Sequence, residues 1–211
     1  MSKAVPSASS LPDQSFCEGS GQSGIQAGLS PGEGSGQASP VVDTSRQPQH
    51  PHPPILLFTD GAASGNPGPG GYGVILRCGT YEKEFSGGFA RTTNNRMELL
   101  AVIVGLEAIR WEGAVVDVYS DSSYVVKAVN EGWLLEWERK HFAKKKNPDL
   151  WQRFFTVYRR HRVRFHWVKG HAGHPENERC DALAVAAGAG AAARGVLLPE
   201  DEGYQAETSL F

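Results

Sequence analysis

Several features that commonly settle a protein's class are scarce or absent in this chain of 211 residues. Its three cysteines, Cys17, Cys78 and Cys180, set out neither a disulfide framework nor a zinc-spacing motif. No apolar run is long enough to span a bilayer, and no secretory h-region lies near the start. Residues 1–54 hold one aromatic, Phe16, and are rich in Ser, Gly, Pro and Gln without amphipathic period. A segment of that kind buries too little apolar surface to offset its ordering entropy, so residues 1–54 are expected to form a disordered tail. That tail is poor in Arg and contains acids, which argues against an organellar transit peptide and leaves the cytoplasm as the expected compartment. Residues 55–211 have the length of one folded domain. A basic excess is missing as well. The formal net charge is −2, all of it accounted for by the tail's Lys3 and Arg46 against Asp13, Glu18, Glu33 and Asp43. A neutral domain argues against a general, tight grip on nucleic acid through bulk charge, but it allows a local basic stripe.

Beyond residue 54 the pattern becomes regular. Ile55–Asp60 is predicted as a buried strand, and Gly61 to Gly71 as a compact Gly/Pro turn. Tyr72–Arg77 and Tyr81–Phe89 follow as strands joined at Cys78-Gly79-Thr80, giving an antiparallel meander. Thr93-Asn94-Asn95 caps a helix running to about Trp111. Val115–Ser120 is the next strand and Ser122–Asn130 a helix, with short helical pieces around Gly132–Arg139 and Pro148–Arg160. Val163–Val168 is the last strand, and Pro175 opens a helix into an Ala-rich stretch. Three neighbouring strands followed by helix–strand alternation point to an α/β fold, a mixed sheet with helices on both faces. The Gly65–Gly73 stretch lacks the Lys-Ser/Thr of a P-loop and leads into a strand, so it is no nucleotide-triphosphate cradle. A turn open to a substrate backbone suits it better.

Four carboxylates stand at the ends of, or inside, apolar runs: Asp60, Glu98, Asp121 and Asp181. For one Asp at a strand end, a cap or a turn is the ordinary explanation. Asp121 before Ser122-Ser123 fits that explanation well. Glu98 does not, because it interrupts an apolar helix and shares a face with Asn94, Asn95, Val102 and Gly105. Asp181 lies with Asn177 and Glu178 on the polar side of its helix. Asp117, inside a strand, is set aside as the partner of a surface cation. Buried carboxylates are costly without compensating cations or hydrogen bonds, and an all-oxygen donor set favours Mg²⁺ or Mn²⁺ over zinc. Two such ions are suited to in-line displacement at phosphorus, hence to phosphodiester hydrolysis.

Thr59-Asp60-Gly61, Gly65 through Gly73, Thr92 through Leu99, Asp121-Ser122 and Trp167 through Asp181 together resemble bacterial ribonuclease H of type I, over about Ile55 to Gln205. The resemblance implies a ribonuclease H-like five-stranded mixed sheet. It also implies an endonuclease that cuts the RNA strand of RNA–DNA hybrids and leaves 5′-phosphate and 3′-hydroxyl ends. Asp60, Glu98, Asp121 and Asp181 match the family's metal-binding carboxylates for two Mg²⁺ ions (Mn²⁺ being able to replace them), with Asp60 bridging. His171 matches a loop histidine that assists proton transfer or product departure, whereas His174 has no family role and is expected to be solvated. Asn66, Asn94 and Asn95 match positions touching the hybrid's minor groove, where the 2′-hydroxyl marks the RNA strand. Thr93 and Asn147 match a grip on a DNA-strand phosphate.

The stretch Trp133–Lys146 matches a basic handle for the DNA strand, shortened between Phe142 and Trp151 and diluted by Glu136 and Glu138. Lys144, Lys145 and Lys146 are its phosphate-facing candidates, with Trp133 and Trp137 expected to be mainly structural. Ala63 and Ser123 depart from the residues many bacterial members carry, Cys and Gln. The expected partner is an RNA–DNA hybrid, met by a monomer away from membranes. Two alternatives stand beside this reading: a DNA-cutting nuclease of the same fold superfamily and a catalytically silent hybrid-binding module.

Overall fold

The computed structural model describes residues 52–170 and 172–204. The tail expected over residues 1–54 therefore falls almost entirely outside the described residues, as does His171. The elements run β1 (Ile55–Ala63), β2 (Gly68–Cys78), β3 (Tyr81–Thr92), α1 (Asn94–Glu107), β4 (Val115–Ser120) and α2 (Ser123–Asn130). They continue as α3 (Trp133–Arg139), α4 (Pro148–Tyr158), β5 (Arg162–Trp167), α5 (Pro175–Ala187) and α6 (Ala189–Ala193). The strands form one sheet in the order β3-β2-β1-β4-β5. β1, β2 and β3 pair antiparallel, while β4 and β5 run parallel to β1. The expected five-stranded mixed sheet is the fold observed. Among the described residues no helix is long and apolar enough to cross a membrane.

Alternation along β1 decides which helix covers which face. Ile55, Leu57 and Thr59 are fully buried on one face, beneath α1. α1 is apolar nearly all round because it is enclosed on two sides. Met97, Leu99, Ala101, Val102, Ile103 and Leu106 are all sealed between the sheet and α4, whose Trp151 and Phe154 are also buried. On the other face α5 packs against β1 and β2.

Two boundaries differ from expectation. β1 runs on to Ala63 and β2 starts at Gly68, so the turn shrinks to four residues, 64–67, closed by Ser64 N–H donating to the Pro69 carbonyl at 2.8 Å. Gly70, Gly71 and Gly73 are thus strand residues. A Cβ on Gly73 would run into the Cys180 carbonyl, and one on Gly71 into that of Ala184. Gly71 and Gly73 are glycine so that α5 can lie directly on the β2 backbone, not so that the chain can turn. Likewise α1 ends at Glu107, before Trp111, with Ala108 donating to the Val104 carbonyl at 3.1 Å. Cys180 is a free, buried thiol.

Candidate active site

Asp60 sits near the end of β1, where it pairs with Gly73 of β2 and so shares the face covered by α5. Only 8% of its surface is exposed, and its Oδ1 accepts the Gly61 backbone N–H at 2.7 Å. Gly61 points to the opposite face. There a Cβ would collide with the backbone nitrogen of Glu98, so the absent side chain lets the first turns of α1 come down onto β1.

Glu98 reaches the site from α1 with both oxygens engaged. Asn94 Nδ2 donates to Oε1 at 2.8 Å, and the Ser122 hydroxyl donates to Oε2. The same Ser122 Oγ accepts the Val125 N–H at 3.3 Å and is the N-cap of α2. Capping therefore falls to Ser122, and the Asp121 side chain is free of that task. Asp121 follows β4, two residues on from Tyr119, which pairs with Phe58, itself two residues before Asp60. Its carbonyl accepts the Trp167 indole N–H at 3.0 Å, and Asn177 Nδ2 lies 3.5 Å from its Oδ2. Asp181 comes from α5 in the residue after Cys180, whose carbonyl rests on Gly73, Asp60's partner. Four elements thus bring the four predicted carboxylates to one end of the sheet.

Their proximity shows in their acidity. Burial first, then the charges of Asp121, Asp181 and Glu98, push Asp60 from 3.8 up to about 7, against the pull of the Gly61 N–H. Glu98 is also raised, chiefly by burial, with Asp121 adding to it and the Ser122 and Asn94 hydrogen bonds opposing. Among the described residues no cationic side chain figures in the groups acting on either. Asn177 Oδ1, beside Asp121, is a buried acceptor without a protein partner. Clustered carboxylates and an orphaned amide oxygen form an all-oxygen donor set that fits hard divalent cations. Among the described residues no three His, Cys, Asp or Glu side chains already close into a cage.

The substrate candidates divide into two groups. Asn66, Thr93, Asn95, Lys146 and Asn147 line one cleft of about 280 Å³, together with Tyr204. Thr93 and Asn147 are the N-caps of α1 and α4, and neither spends its side chain on capping. Asn94 is directed elsewhere: its side chain serves Glu98, and its backbone N–H donates to Asn66 Oδ1 at 3.3 Å. The three lysines do not act as one. Lys146 lines the cleft, Lys145 Nζ lies 4.6 Å above the Trp137 ring, and Lys144 is exposed in a left-handed conformation. Trp137 packs on Trp151 as a structural residue, but Trp133 is 40% exposed, which the structural reading did not foresee. Asp117 pairs with Arg164 at 2.6 Å and His166 at 2.7 Å, as its exclusion required. His174 is an exposed residue preceding α5.

Sequence reasoning missed Ser122, Trp167, Asn177 and Tyr204. Ser122 could have been found, since a hydroxyl next to Asp121 is a ready donor to a nearby carboxylate. Tyr204 carried no local signal.

The family model for RNase H matches residues 52–189. A ribonuclease H of Desulforamulus reducens is 56% identical over 138 residues, covering 63% of this chain and 86% of the relative. One from Nitratidesulfovibrio vulgaris is 54% identical over 157 residues, covering 72% of this chain and 97% of the relative. Among solved structures, LC9-RNase H1, a type 1 RNase H with the type 2 active-site motif, is similar with a TM-score of 0.61 and 31% identity. That match covers 67% of this chain and 75% of the other.

Proposed function

The chain belongs to the ribonuclease H family, and from that premise we propose that it hydrolyses the RNA strand of RNA–DNA hybrids with two divalent metal ions. Its products would carry 5′-phosphate and 3′-hydroxyl ends. As a family member it is an endonucleolytic hydrolase; substrate, ions and ends are our reading. The observation that carries it is Asp60, a buried carboxylate held near neutral pH by burial and three other carboxylates, with no cation among them. Such a cluster is costly at working pH unless cations offset its charge.

Asp60, Glu98, Asp121 and Asp181 would hold the ions, Mg²⁺ by preference and Mn²⁺ as a substitute, with Asp60 central because all three others act on it. Bound there, a pair of divalent ions supplies Lewis acidity to the phosphodiester and to the attacking water. The protein's own part is positioning. Asn94 and Ser122 fix both oxygens of Glu98, and Trp167 anchors the Asp121 backbone, so the carboxylates meet their charge with little reorganisation. His171 keeps the role in proton transfer or product departure that its motif suggests. The cleft of Asn66, Thr93, Asn95, Lys146 and Asn147 presents short polar groups and one cation, suited to a sugar–phosphate backbone rather than to base edges.

Digestion of sequence-matched RNA–DNA, RNA–RNA and DNA–DNA duplexes in Mg²⁺, with each strand end-labelled, tests the reading. Loss of the RNA strand of the hybrid alone is expected. Cutting of DNA–DNA would favour the DNA nuclease, and binding without cutting would favour the silent module.

A further inference from the structure

The C-terminal segment takes part in the cleft in a way that no motif marks. Arg96 lies in the first turns of α1, is 1% exposed, and is gripped by two carboxylates at once. Its Nη1 and Nη2 donate to Asp149 Oδ1 and Oδ2 at 2.9 and 2.7 Å. Its Nε and Nη2 donate to Asp201 Oδ2 and Oδ1 at 2.7 and 2.8 Å. Asp149 stands in the first turn of α4, so one guanidinium ties α1, α4 and the segment around Asp201 together. Further bonds secure that segment. Thr92 Oγ1 donates to Asp201 at 2.6 Å, and the Ala90 N–H donates to the Pro199 carbonyl at 2.8 Å.

Where the clamp is tightest the chain is glycine. A Cβ on Gly203 would collide with Asp149 Oδ2 and Arg96 Nη2, so the segment can cross the clamp only without a side chain there. Immediately beyond, the Tyr204 N–H donates to Asp201 Oδ1 at 3.3 Å, and Tyr204 lines the same cleft as Thr93, Asn95, Lys146 and Asn147. Arg96 itself is consumed: two carboxylates surround one guanidinium, which leaves Lys146 as the only formal cation among the described residues lining the cleft. Charge alone therefore grips a backbone weakly here, and the wall added by the C-terminal segment contributes correspondingly more.

We propose that Tyr204 contacts the nucleic-acid backbone bound in this cleft, and that Arg96, Asp149 and Asp201 are positioning residues that hold Tyr204 there. The proposal rests on the hybrid-cleavage reading, adding a binding residue that lies outside the family model's match. Because the cleft is built from Asn66, Thr93 and Asn147 and not from the carboxylates, Tyr204 governs capture of the duplex and leaves the chemical step alone.

The test uses the full chain with Tyr204→Ala and Gly203→Ala. KM and kcat are measured on a labelled hybrid, binding of the same hybrid is followed by anisotropy without metal, and the melting temperature of each variant is recorded. Tyr204→Ala is expected to raise KM and weaken binding about tenfold, with kcat within about twofold and melting unchanged. Gly203→Ala, which keeps the tyrosine but displaces the segment, is expected to raise KM in the same direction. Wild-type KM and affinity in Tyr204→Ala would overturn the proposal. So would loss of kcat and melting temperature together at constant KM, which is what a purely structural segment would give. If the wild type binds the hybrid without cutting it and Tyr204→Ala still weakens binding, the activity reading fails and this contact stands. Absence of wild-type binding overturns both.

Discussion

The backbone nitrogen of Glu98 occupies the space that a side chain on Gly61 would fill. A residue next to the central carboxylate is thus glycine because the helix carrying a second carboxylate must touch the strand. Site geometry and core packing are one constraint at this point, and neither can be altered alone.

Gly61→Ala should therefore harm both. The added methyl faces backbone rather than a yielding side chain, so α1 must lift at its N-terminal end. A stability loss of about 1–3 kcal/mol is expected from overpacking. Displaced Glu98 should reduce turnover further than the loss of folded protein explains. Denaturant titration and kcat on the hybrid measure the two effects; a variant with wild-type values for both would contradict the packing described.

Asp60 predicts a pH dependence of stability in the metal-free protein. Its folded pKa, about 7, lies above the unfolded 3.8, so between those values the folded state binds more protons than the unfolded one. This carboxyl's contribution to stability is therefore fully present below about pH 4, is lost as pH rises through 7, and is gone above it. In chelator, melting curves at pH 5 and pH 8 should differ more for the wild type than for Asp60→Asn. Mg²⁺ should raise melting most at pH 8, where the cluster is fully ionised. Equal pH responses in the two proteins would contradict the account.

The three handle lysines should separate when mutated singly. Lys146→Ala is expected to weaken hybrid binding and lower the counterion-release slope by about 1, because it lines the cleft. Lys145→Ala removes a cation from above the Trp137 ring and should cost stability more than affinity. Lys144→Ala should do least. Salt titrations of binding with each variant distinguish this order from an equal loss across all three.

The legibility of this site in sequence follows from distance along the chain. Asp60 and Glu98 stood out because a charge inside an apolar run contradicts its immediate neighbours, a purely local signal. Gly71 was misread because glycine marks a turn locally, whereas here the requirement comes from Ala184 on α5, more than a hundred residues later. Arg96 carried no local signal, because its partner Asp201 is 105 positions away. The strands themselves were recoverable because each is a short apolar run bounded by turn residues, a local signal. The clamp was not, since only tertiary contact joins Arg96 to Asp149 and Asp201.

The central claim, that four carboxylates around Asp60 hold the divalent ions that cleave the RNA strand, is tested most directly by Asp60→Asn. The substitution keeps shape and removes the charge on which the other three act. With its fold verified by melting in chelator, the variant is assayed on the labelled hybrid across a range of Mg²⁺ concentrations. The account predicts turnover lower by about 10³-fold or more at every Mg²⁺ concentration, in a protein that remains folded. Near-wild-type turnover by the folded variant would contradict it.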